Sequence, residues 1–391
     1  MKVLVVHNKY LVEGGEDIVF KNETEALKKN GIEISYLIKD NEKLTFFCKI
    51  KLFFSSILSF RSFIDMKRAI EDTTPDIIHV HNFFPKFSPS IFWAAKIKKI
   101  PIVMTLHNYR IICPSATFFI DNEVNTRSIK GGPWWTLSRR VYKNSLIGTM
   151  SLCWMIYLNK KINTWDKVTK FICLTEFSKE IFVNFGIPSE KILIKPNLYP
   201  ENIENIAEGD YRVDFDLPER FVLFVGRLTK DKGVNVILES LNENSYLTVI
   251  VGEGPLENII KGCKNVLFLG RRSSACITYL MRKAAALLVP SLWFEGLPMV
   301  VVEAYANKLP VIASDIGSLS EVVINDVTGI HLNPGDKNCL SSSINKICSD
   351  FTYRAILSEG AYSYFSNHFE ERNNIDMLVS IYKEVINESE F

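Results

Sequence analysis

The sequence has little net charge, no long apolar run and no paired-cysteine motif, and each absence excludes a class of protein. Its 46 basic and 44 acidic residues leave a net charge of +2, so it has no global field of the kind that nucleic-acid-binding proteins use. No uncharged apolar segment reaches the ~20 residues that a membrane-spanning helix needs, and the N-terminal run is too short for a signal peptide. We therefore expect a soluble or peripheral protein that does not bind nucleic acid.

The standard phosphate, dinucleotide and metal motifs are also missing. There is no GxxxxGK[ST] loop, and Gly252-Glu253-Gly254 matches only the first half of a GxGxxG loop. No pair of histidines or carboxylates stands at ligand spacing on one element, as in HExxH, so no metal site is indicated. The eight cysteines include no CxxC pair, which fits a reducing cytosol.

Short apolar runs alternate with helix-length segments along the chain. Continuous Val, Ile and Leu runs of this length predict parallel strands that helices cover on both faces. A chain of 391 residues exceeds the size at which one core stops growing, so we expect two such α/β domains with doubly wound sheets. The predicted strands cover residues 3–6, 33–38, 76–80, 101–106 and 170–174, then 221–225, 246–251, 266–269, 285–289, 309–313 and 329–332.

The polar stretch from Pro196 to Pro218 lacks a periodic apolar pattern and marks the predicted domain boundary. It divides the chain into a first domain over residues 1–196 and a second over residues 197–368. A helix-forming segment at residues 375–386 has no strand behind it. We therefore predict that residues 369–391 form a C-terminal helix that crosses back to the first domain.

Four of the six histidines stand at the ends of predicted strands in the first half, where sheets of this type bind ligands. They come with neighbouring polar or glycine residues: His7, Asn8, Gly14 and Gly15 after the first strand, His79, His81 and Asn82 after the third, and His107 and Asn108 after the fourth. His79 and His81 could equally be satisfied core histidines. His107 opens a long glycine- and aromatic-containing segment, so the same explanation suits it less well.

In the second half, the strand at residues 221–225 runs into a glycine turn that Arg227 and Lys232 flank. Arg227 can offer two parallel donors to a phosphoryl group, and Lys232 adds a mobile point charge. This turn is a candidate dianion site. Basic residues near turns are also commonly only solvated, and that alternative stays open.

Two glutamates, Glu295 and Glu303, follow the strand predicted at residues 285–289. Gly296 allows a tight turn, and Pro298 suits the first turn of a helix. Both carboxylates can face a hydroxyl-rich ligand whose phosphate is held by the free N–H groups of the helix start. A solvated loop glutamate and a solvated helix glutamate are the alternative, but the apolar run at residues 299–302 argues for a buried helix.

The ordered set of these motifs resembles the retaining glycosyltransferases of family 4 (GT4), which have the GT-B fold. The donor-side likeness rests on Gly-Arg-Leu at residues 226–228, Asp-Lys-Gly at 231–233 and the two glutamates with seven residues between them. Gly-Gly-Glu-Asp-Ile at residues 14–18, His-Val-His-Asn-Phe-Phe-Pro at 79–85 and Thr-Leu-His-Asn-Tyr-Arg-Ile-Ile-Cys-Pro at 105–114 resemble acceptor-side motifs of bacterial members that build surface polysaccharides. The resemblance covers nearly the whole chain and implies two Rossmann-like domains that face a central cleft.

The resemblance also implies residue roles. Arg227 and Lys232 would bind the diphosphate of a nucleotide-diphosphate sugar, and Glu303 would accept hydrogen bonds from the ribose. Glu295 and His107 would form the catalytic pocket of the transferred sugar. The other donor-side residues would be Gly14, Gly15 through its backbone N–H, Gly296, Leu297 and Pro298, and the acceptor-side residues would be His81, Asn82, Asn108 and Tyr109. Many members carry Phe-Gly where this chain has Leu297-Pro298.

The expected reaction is retaining transfer of a sugar to a lipid-linked glycan acceptor in O-antigen, capsule or lipopolysaccharide biosynthesis. Fixed positive charge could stabilise the leaving diphosphate, so we expect no metal and no cofactor besides the nucleotide-sugar co-substrate. A nucleotide-sugar epimerase or a glycan phosphorylase would be alternative enzymes of the same fold. A non-catalytic sugar-nucleotide-binding protein is the alternative of another class.

Residues 43–68 and 130–161 interleave aromatic and basic side chains, which suits a surface that lies on anionic lipid. We therefore expect a cytoplasmic protein peripherally associated with the inner face of the cytoplasmic membrane. A buried amphipathic helix with a solvated basic rim is the alternative for either stretch.

Overall fold

Two parallel sheets of six strands each, both flanked by helices, organise the chain in a computed structural model that describes residues 1–11, 14–40, 57–200, 217–241 and 246–389. The chain divides into two compact units, and each contains one of the six-stranded sheets. The short strands Phe119–Ile120 and Glu123–Val124 form a separate two-stranded sheet. The first unit comprises Met1–Ile120, Asn125–Leu198 and Glu371–Phe391, and the second comprises Asp121–Val124 and Tyr199–Glu370. The predicted α/β class with two doubly wound sheets is therefore confirmed.

The strands and helices alternate through both units. In chain order the strands are β1 (Lys2–Lys9), β2 (Glu33–Asp40), β3 (Ile77–Asn82), β4 (Ile102–Thr105), β5 (Phe119–Ile120), β6 (Glu123–Val124), β7 (Lys170–Cys173), β8 (Ile192–Ile194), β9 (Phe221–Val225), β10 (Leu247–Val251), β11 (Val266–Gly270), β12 (Ala286–Val289), β13 (Val311–Ser314) and β14 (Gly329–Leu332).

The α-helices are α1 (Gly15–Lys29), α2 (Phe60–Thr73), α3 (Ser90–Ile97), α4 (Ser128–Gly131), α5 (Leu146–Lys161), α6 (Glu176–Phe185), α7 (Val234–Ser240), α8 (Glu257–Ile260), α9 (Ser274–Lys283), α10 (Met299–Ala306), α11 (Ser318–Val322), α12 (Lys337–Ser349), α13 (Phe351–His368) and α14 (Glu371–Ser389). Three 3₁₀ turns lie at Trp134–Thr136, Thr164–Lys167 and Ser189–Lys191. No helix within the described ranges has both the length and the apolar character that a bilayer crossing requires.

The strand orders fix where a ligand can bind each sheet. The first sheet runs β2-β1-β3-β4-β7-β8, and the second runs β11-β10-β9-β12-β13-β14. In each sheet, successive strands are first added on one side and then on the other. This switch lies between β1 and β3 in the first sheet and between β9 and β12 in the second. Doubly wound sheets bind ligands beyond the carboxyl ends of their strands at such switch points. The loops that follow these four strands are therefore the first places to look for a site.

The C-terminal helix α14 completes the core of the first unit. Its residues Ile375, Leu378 and Tyr382 share a buried cluster with Val3 and Val5 of β1. Each fully buried aliphatic side chain of this kind contributes about 2 kcal/mol to stability. The sequence places the domain boundaries after residues 196 and 368, and the compact units divide after Leu198 and Glu370.

The strand predictions differ from the structure mainly at the strand ends. Strands β9 and β14 have the predicted bounds, whereas β1 and β3 run further than predicted. His79 and His81 were expected after the third strand but lie inside β3, because the buried pattern continues through Asn82. The three-residue strand β8 and the two-residue strands β5 and β6 were not predicted at all.

Candidate active site

The turn after β9 and the loop after β12 are locked together beside the switch point of the second sheet. Gly233 has a φ of 71°, and a Cβ on it would lie 1.8 Å from the carbonyl oxygen of Pro290. The backbone N–H of Leu292 donates to the carbonyl of Asp231 at 2.8 Å. Only a glycine permits this approach, so the two segments that the sequence singled out separately form one surface.

Lys232 and Glu295 meet on this surface. The Nζ atom of Lys232 lies 2.6 Å from Oε1 of Glu295, and the hydroxyl of Ser291 donates to the same oxygen at 2.8 Å. The Lys232 side chain is 20% exposed and that of Glu295 is 6% exposed. The Nζ atom also lies over the ring of Trp293, 5.2 Å from its centroid. The ion pair satisfies a nearly buried carboxylate, which would otherwise be costly.

Arg227 is held more loosely. Its guanidinium Nη2 lies 3.3 Å from Oδ2 of Asp231, and its side chain is 64% exposed. Ion pairs this exposed contribute at most about 1 kcal/mol. An anionic ligand could therefore draw the guanidinium from Asp231 at little cost, which is the behaviour expected of a phosphate-binding arginine.

Glu303 is the fifth residue of α10. The residues next to it in this helix are all buried: Val301, Val302, Ala304 and Tyr305. Its carboxyl has no ion pair or hydrogen bond to any residue that the structure describes, and burial raises its pKa to about 7. One expectation beside it needs correction: Pro298 is the extended residue before α10 and not part of its first turn. The side chain of the preceding Leu297 is buried.

A second polar surface lies in the first unit, around the start of α1. Asp17 accepts hydrogen bonds from His7 Nε2 at 2.8 Å and from the backbone N–H groups of Gly14 at 2.9 Å and Tyr10 at 3.3 Å. Burial raises the pKa of Asp17, but these bonds outweigh it and leave the pKa lowered. No described protein atom lies within 4 Å of a Cβ built on Gly15, so the space there is open to a ligand.

Glu23 and Lys195 form a fully buried ion pair behind this surface. Lys195 Nζ donates to Glu23 Oε2 at 2.8 Å, and both side chains are almost inaccessible. Burial alone would raise the pKa of Glu23, but the Lys195 ammonium and the His81 ring hold it well below its usual range. The sequence analysis missed both residues. Glu23 could have been noticed, because it falls on the helical stripe of buried residues that includes Val19 and Leu27.

His79 is a satisfied core histidine, one of the two alternatives that the sequence left open. Its Nδ1 atom lies 2.6 Å from the hydroxyl of Tyr382, and its Nε2 atom lies 2.8 Å from Oγ1 of Thr105. Burial lowers its pKa well below the usual range, so the ring is neutral.

His81 and His107, by contrast, reach a pocket. Their rings stack with centroids 5.4 Å apart, and His81 Nδ1 lies 3.2 Å from His107 Nε2. Burial, reinforced by His81, holds the pKa of His107 well below its usual range. The pocket is lined by side chains of β3 and of the segments after β3 and β4, among them His81, Asn82, Phe84, His107, Asn108 and Arg110.

The polar side chains of the pocket differ in their freedom. Asn82 donates to the carbonyl of Asn8 at 3.1 Å and accepts from the N–H of Phe84 at 3.0 Å. Its side chain therefore holds the start of the segment after β3 against the end of β1. Asn108 donates to Glu16 Oε1 at 2.6 Å. Arg110 forms no ion pair with a described carboxylate, although its positive charge opposes the rise that burial causes in the pKa of Glu16.

The guanidinium of Arg110 is placed by aromatic rings and one carbonyl. It lies 5.3 Å from the ring centroids of both Phe84 and Tyr142, and its Nη1 donates to the carbonyl of Pro114. No motif had pointed to Arg110 as a site residue. Its position makes it the cation that the pocket offers to a ligand.

Tyr109 was expected on the acceptor side, and this expectation is wrong. Its side chain is 2% exposed and packs against the rings of Phe118 and Phe182, while its hydroxyl lies 3.2 Å from Ser178 Oγ. The backbone turns after His107, so neighbouring side chains point to opposite sides: His107 lines the pocket and Tyr109 enters the core.

Glu23, His79 and His81 bring three potential metal-ligand atoms within 4.8 Å of one another. Two contacts argue against a cation there. The Lys195 ammonium already neutralises Glu23, and both ring nitrogens of His79 are hydrogen-bonded. The donor set suits a hydrogen-bonded network better than a metal centre.

Comparison with known proteins finds that two glycosyltransferase family models match most of the chain. The model of Glycosyltransferase Family 4 matches residues 14–199, and the model of Glycosyl transferases group 1 matches residues 210–364. An uncharacterised glycosyltransferase of Methanocaldococcus jannaschii is 26% identical over 325 residues, which are 82% of this chain and 78% of the relative. The UDP-Gal:alpha-D-GlcNAc-diphosphoundecaprenol alpha-1,3-galactosyltransferase of Escherichia coli is 24% identical over 420 residues, covering 98% of both chains.

Among solved structures, HepE of Anabaena in complex with UDP superposes with a TM-score of 0.68. The alignment covers 98% of this chain and 100% of that chain at 16% identity. At this identity the likeness concerns the fold, and it extends over both sheets.

Proposed function

The chain belongs to glycosyltransferase family 4, with the GT-B fold, and from this premise we propose that it transfers a sugar, with retention and without a metal, from a nucleotide-diphosphate sugar to a lipid-linked glycan acceptor. The glycosyltransferase activity follows from the family. The donor, the acceptor and the stereochemistry are our proposal. The observation that carries it is the meeting of Lys232 and Glu295 beside the loosely held Arg227 at the switch point of the second sheet.

On the donor side, two cations would meet the diphosphate. When the nucleoside diphosphate departs, negative charge develops on its β-phosphate, and Arg227 and Lys232 supply fixed positive potential for it. Lys232 lies between the phosphate and Glu295 in this proposal. Glu295 keeps Oε1 on Lys232 and Ser291, and its other oxygen is left for a hydroxyl of the transferred sugar. Glu303, which has no hydrogen-bond or ion-pair partner among the described residues, would accept the ribose hydroxyls.

The reaction itself breaks the bond between the anomeric carbon and the β-phosphate oxygen and forms a bond from that carbon to an acceptor oxygen. The acceptor hydroxyl loses its proton to the departing phosphate, which leaves from the face that the acceptor attacks. Attack on that face gives retention. The transition state resembles an oxocarbenium ion, which a nearby carboxylate such as Glu295 stabilises electrostatically.

The acceptor proposal draws on the Escherichia coli relative, whose name specifies a sugar on diphosphoundecaprenol. A diphosphate of this class needs a cation, and the pocket of the first unit offers Arg110, which forms no ion pair in the described part of the chain and lies over two aromatic rings. We therefore assign the pocket at His81, His107 and Arg110 to the polar end of the acceptor or to the sugar that it receives.

An exposed apolar face on α5 supports a location at the membrane. Four exposed residues of this helix follow one another at spacings of seven, three and four, which places them on one side of it. They are Ile147, Trp154, Tyr157 and Lys161. The Lys161 ammonium lies over the ring of Tyr157. Such a face suits the headgroup region of anionic lipid. Of the other predicted stretch, residues 43–56 lie outside the described residues, and Phe60 on α2 is strongly exposed.

A binding and transfer screen tests the function. Thermal unfolding of the protein is followed with UDP-, GDP- and ADP-sugars, and the donor that stabilises it is then supplied with polyprenol-diphosphate acceptors. We expect one nucleotide family to raise the melting temperature and to yield a lipid-linked product with the donor's anomeric configuration. Product with inverted configuration would refute retention. Interconversion of the free nucleotide sugar would indicate an epimerase, glycosyl phosphate made from a glycan and phosphate a phosphorylase, and binding without turnover a non-catalytic protein.

A further inference from the structure

A continuous chain of four side chains runs from a buried lysine to the pocket. Lys195 Nζ lies 2.8 Å from Glu23 Oε2, Glu23 Oε1 lies 3.2 Å from His81 Nε2, and His81 Nδ1 lies 3.2 Å from His107 Nε2. The four residues lie on separate elements of the first unit. Glu23 is on α1 and His81 is on β3, whereas His107 follows β4 and Lys195 follows β8. Lys195 and Glu23 do not line the pocket, so their effect on a ligand passes through the two histidines.

The chemistry of Glu23 decides where the proton of His81 sits. A carboxylate offers only acceptors, and Glu23 is ionised because Lys195 is its partner. Glu23 Oε1 and His81 Nε2 are both buried, and neither makes a well-aligned hydrogen bond to a described residue; they approach each other to 3.2 Å, and His79 Nδ1 lies 3.6 Å from Glu23 Oε1. Two lone pairs facing each other in the interior would be costly, so the proton belongs on His81 Nε2.

Glu23 carries a single negative charge, and the Lys195 ammonium already balances it. The groups around the His81 ring are Glu23 with its partner Lys195, His79 on the same strand, His7 on β1 with its edge towards the ring, the apolar Phe20 and His107. A neutral imidazole with its proton on Nε2 has a bare Nδ1. That atom can only accept, so His107 must donate to it from Nε2.

We propose that Glu23 and His81 are positioning residues that fix His107 in the tautomer with its proton on Nε2, so that its Nδ1 presents a lone pair to a hydroxyl of the bound sugar. The identity of that ligand rests on the function proposed above, whereas the tautomer does not. His107 Nδ1 has no hydrogen-bond partner among the described residues, which leaves it for the ligand. The arrangement makes His107 an acceptor and excludes it as a donor at that atom.

The test reads the tautomer directly. The protein has only six histidines, and their ring nitrogens are labelled with 15N and observed through long-range couplings to the ring protons. The variant His107→Gln assigns the His107 signals. We expect the resting protein at neutral pH to carry the His107 proton on Nε2. A proton on Nδ1, or a doubly protonated ring, would overturn the proposal whatever reaction the enzyme catalyses.

Variants then test the source of the effect. Glu23→Gln combined with Lys195→Met removes both charges of the buried pair, and the new amide can donate to His81 Nε2. We expect the His107 proton to move to Nδ1 and the transfer rate to fall about 10-fold to 100-fold, as when partners behind a functional side chain are lost. Glu25→Gln, an exposed change on the same helix, should alter neither. A folded double variant with unchanged His107 signals would refute the role of Glu23.

Melting temperatures establish whether the double variant is folded. If it is not, the spectrum of the unaltered protein still decides between the two tautomers. A failed search for a sugar donor would count against the proposed function only, because the histidine signals are recorded without substrate.

Discussion

Lys232 and Glu295, 63 positions apart in the chain, form an ion pair of 2.6 Å in which both protein contacts fall on the same carboxylate oxygen. The sequence motifs assign these residues to different parts of a donor, the lysine to phosphate and the glutamate to sugar. Their contact makes the two roles interdependent: a phosphate that draws on the Lys232 ammonium also changes the charge that Glu295 experiences. Replacing either residue is therefore expected to affect both functions.

Glu295→Gln should keep the hydrogen bond from Ser291 while removing the charge. We expect the turnover of sugar transfer to fall about 100-fold or more, because a carboxylate beside the reacting carbon is lost. The melting temperature should fall by only a few degrees, since Lys232 is partly exposed and can be hydrated. Initial rates and thermal unfolding measure the two effects. Glu359→Gln, which breaks an exposed pair with Lys308 in the same unit, is the matched control. Unchanged turnover in Glu295→Gln would remove this residue from the site.

Glu303 should make both stability and donor affinity depend on pH. Its pKa is about 7 in the folded protein, above the value of an unfolded chain, so the folded state holds more protons between about pH 4.3 and 7. Stability is therefore expected to fall as pH rises through that window, by up to about 3 kcal/mol, and to level off above it. Glu303→Gln should flatten this part of the profile in denaturant titrations at pH 5, 6, 7 and 8.

The same group should have the opposite effect on donor binding. Ribose hydroxyls donate to an ionised carboxylate, so bound nucleotide lowers the pKa of Glu303 and affinity rises as pH increases through 7. Calorimetric titration with the nucleotide found in the screen measures this in the unaltered protein and in Glu303→Gln. If both proteins show the same pH profile, Glu303 does not contact the donor.

Metal independence gives a direct prediction. In the proposed mechanism Arg227 and Lys232 provide the positive charge for the leaving diphosphate, so saturating chelator should leave the transfer rate unchanged, and added Mg²⁺ or Mn²⁺ should not raise it. Rates are compared after dialysis against chelator, with each ion then restored. Loss of activity that an ion restores would contradict the metal-free mechanism.

The exposed face of α5 should determine binding to lipid. Leu146→Ser with Ile147→Ser removes two exposed aliphatic side chains at the start of the helix, and we expect weaker co-sedimentation with phosphatidylglycerol vesicles at low salt. Ile356→Ser, at an equally exposed aliphatic position on α13, should have no effect. Equal binding of all three proteins, or no binding of the unaltered protein, would contradict the membrane proposal.

Gly233 should be intolerant of any side chain. Gly233→Ala places a Cβ against the carbonyl of Pro290 and forces alanine into a positive φ, so we expect a loss of about 2 kcal/mol or more of unfolding free energy. Gly131→Ala, where the added Cβ meets open space at an ordinary φ, is the matched control. Equilibrium denaturation compares the two. A Gly233→Ala protein as stable as the control would show that the two loops are not locked as described.

The sequence predicted the bounds of a strand best where an apolar run ends at a glycine turn. The run at residues 221–225 is apolar throughout and bounded by a glycine turn, so its bounds were predicted correctly as β9. Strand β8 was missed because three residues, Ile192–Ile194, carry too little pattern to separate a strand from a loop. The family likeness pointed to the loops after β1, β3, β4, β9 and β12, and all of these except the loop after β4 follow strands at the switch points.

Contacts between distant residues could not be read from the sequence. Nothing local indicates that Lys195 pairs with Glu23 or that Tyr382 reaches His79, because sheet order and helix packing create those neighbours. Side-chain direction within a turn is equally hidden. His107 and Tyr109 stand two residues apart in one motif, yet the first lines a pocket and the second fills the core.

Helix α14 has a consequence for the order in which a nascent chain can fold. The first unit starts at the N-terminus but needs Ile375, Leu378 and Tyr382, so its core stays incomplete until nearly the whole chain has left the ribosome. The second unit is almost continuous in sequence and can form before then, and domains generally fold as units during synthesis. The unit whose synthesis begins first is therefore the last to be finished.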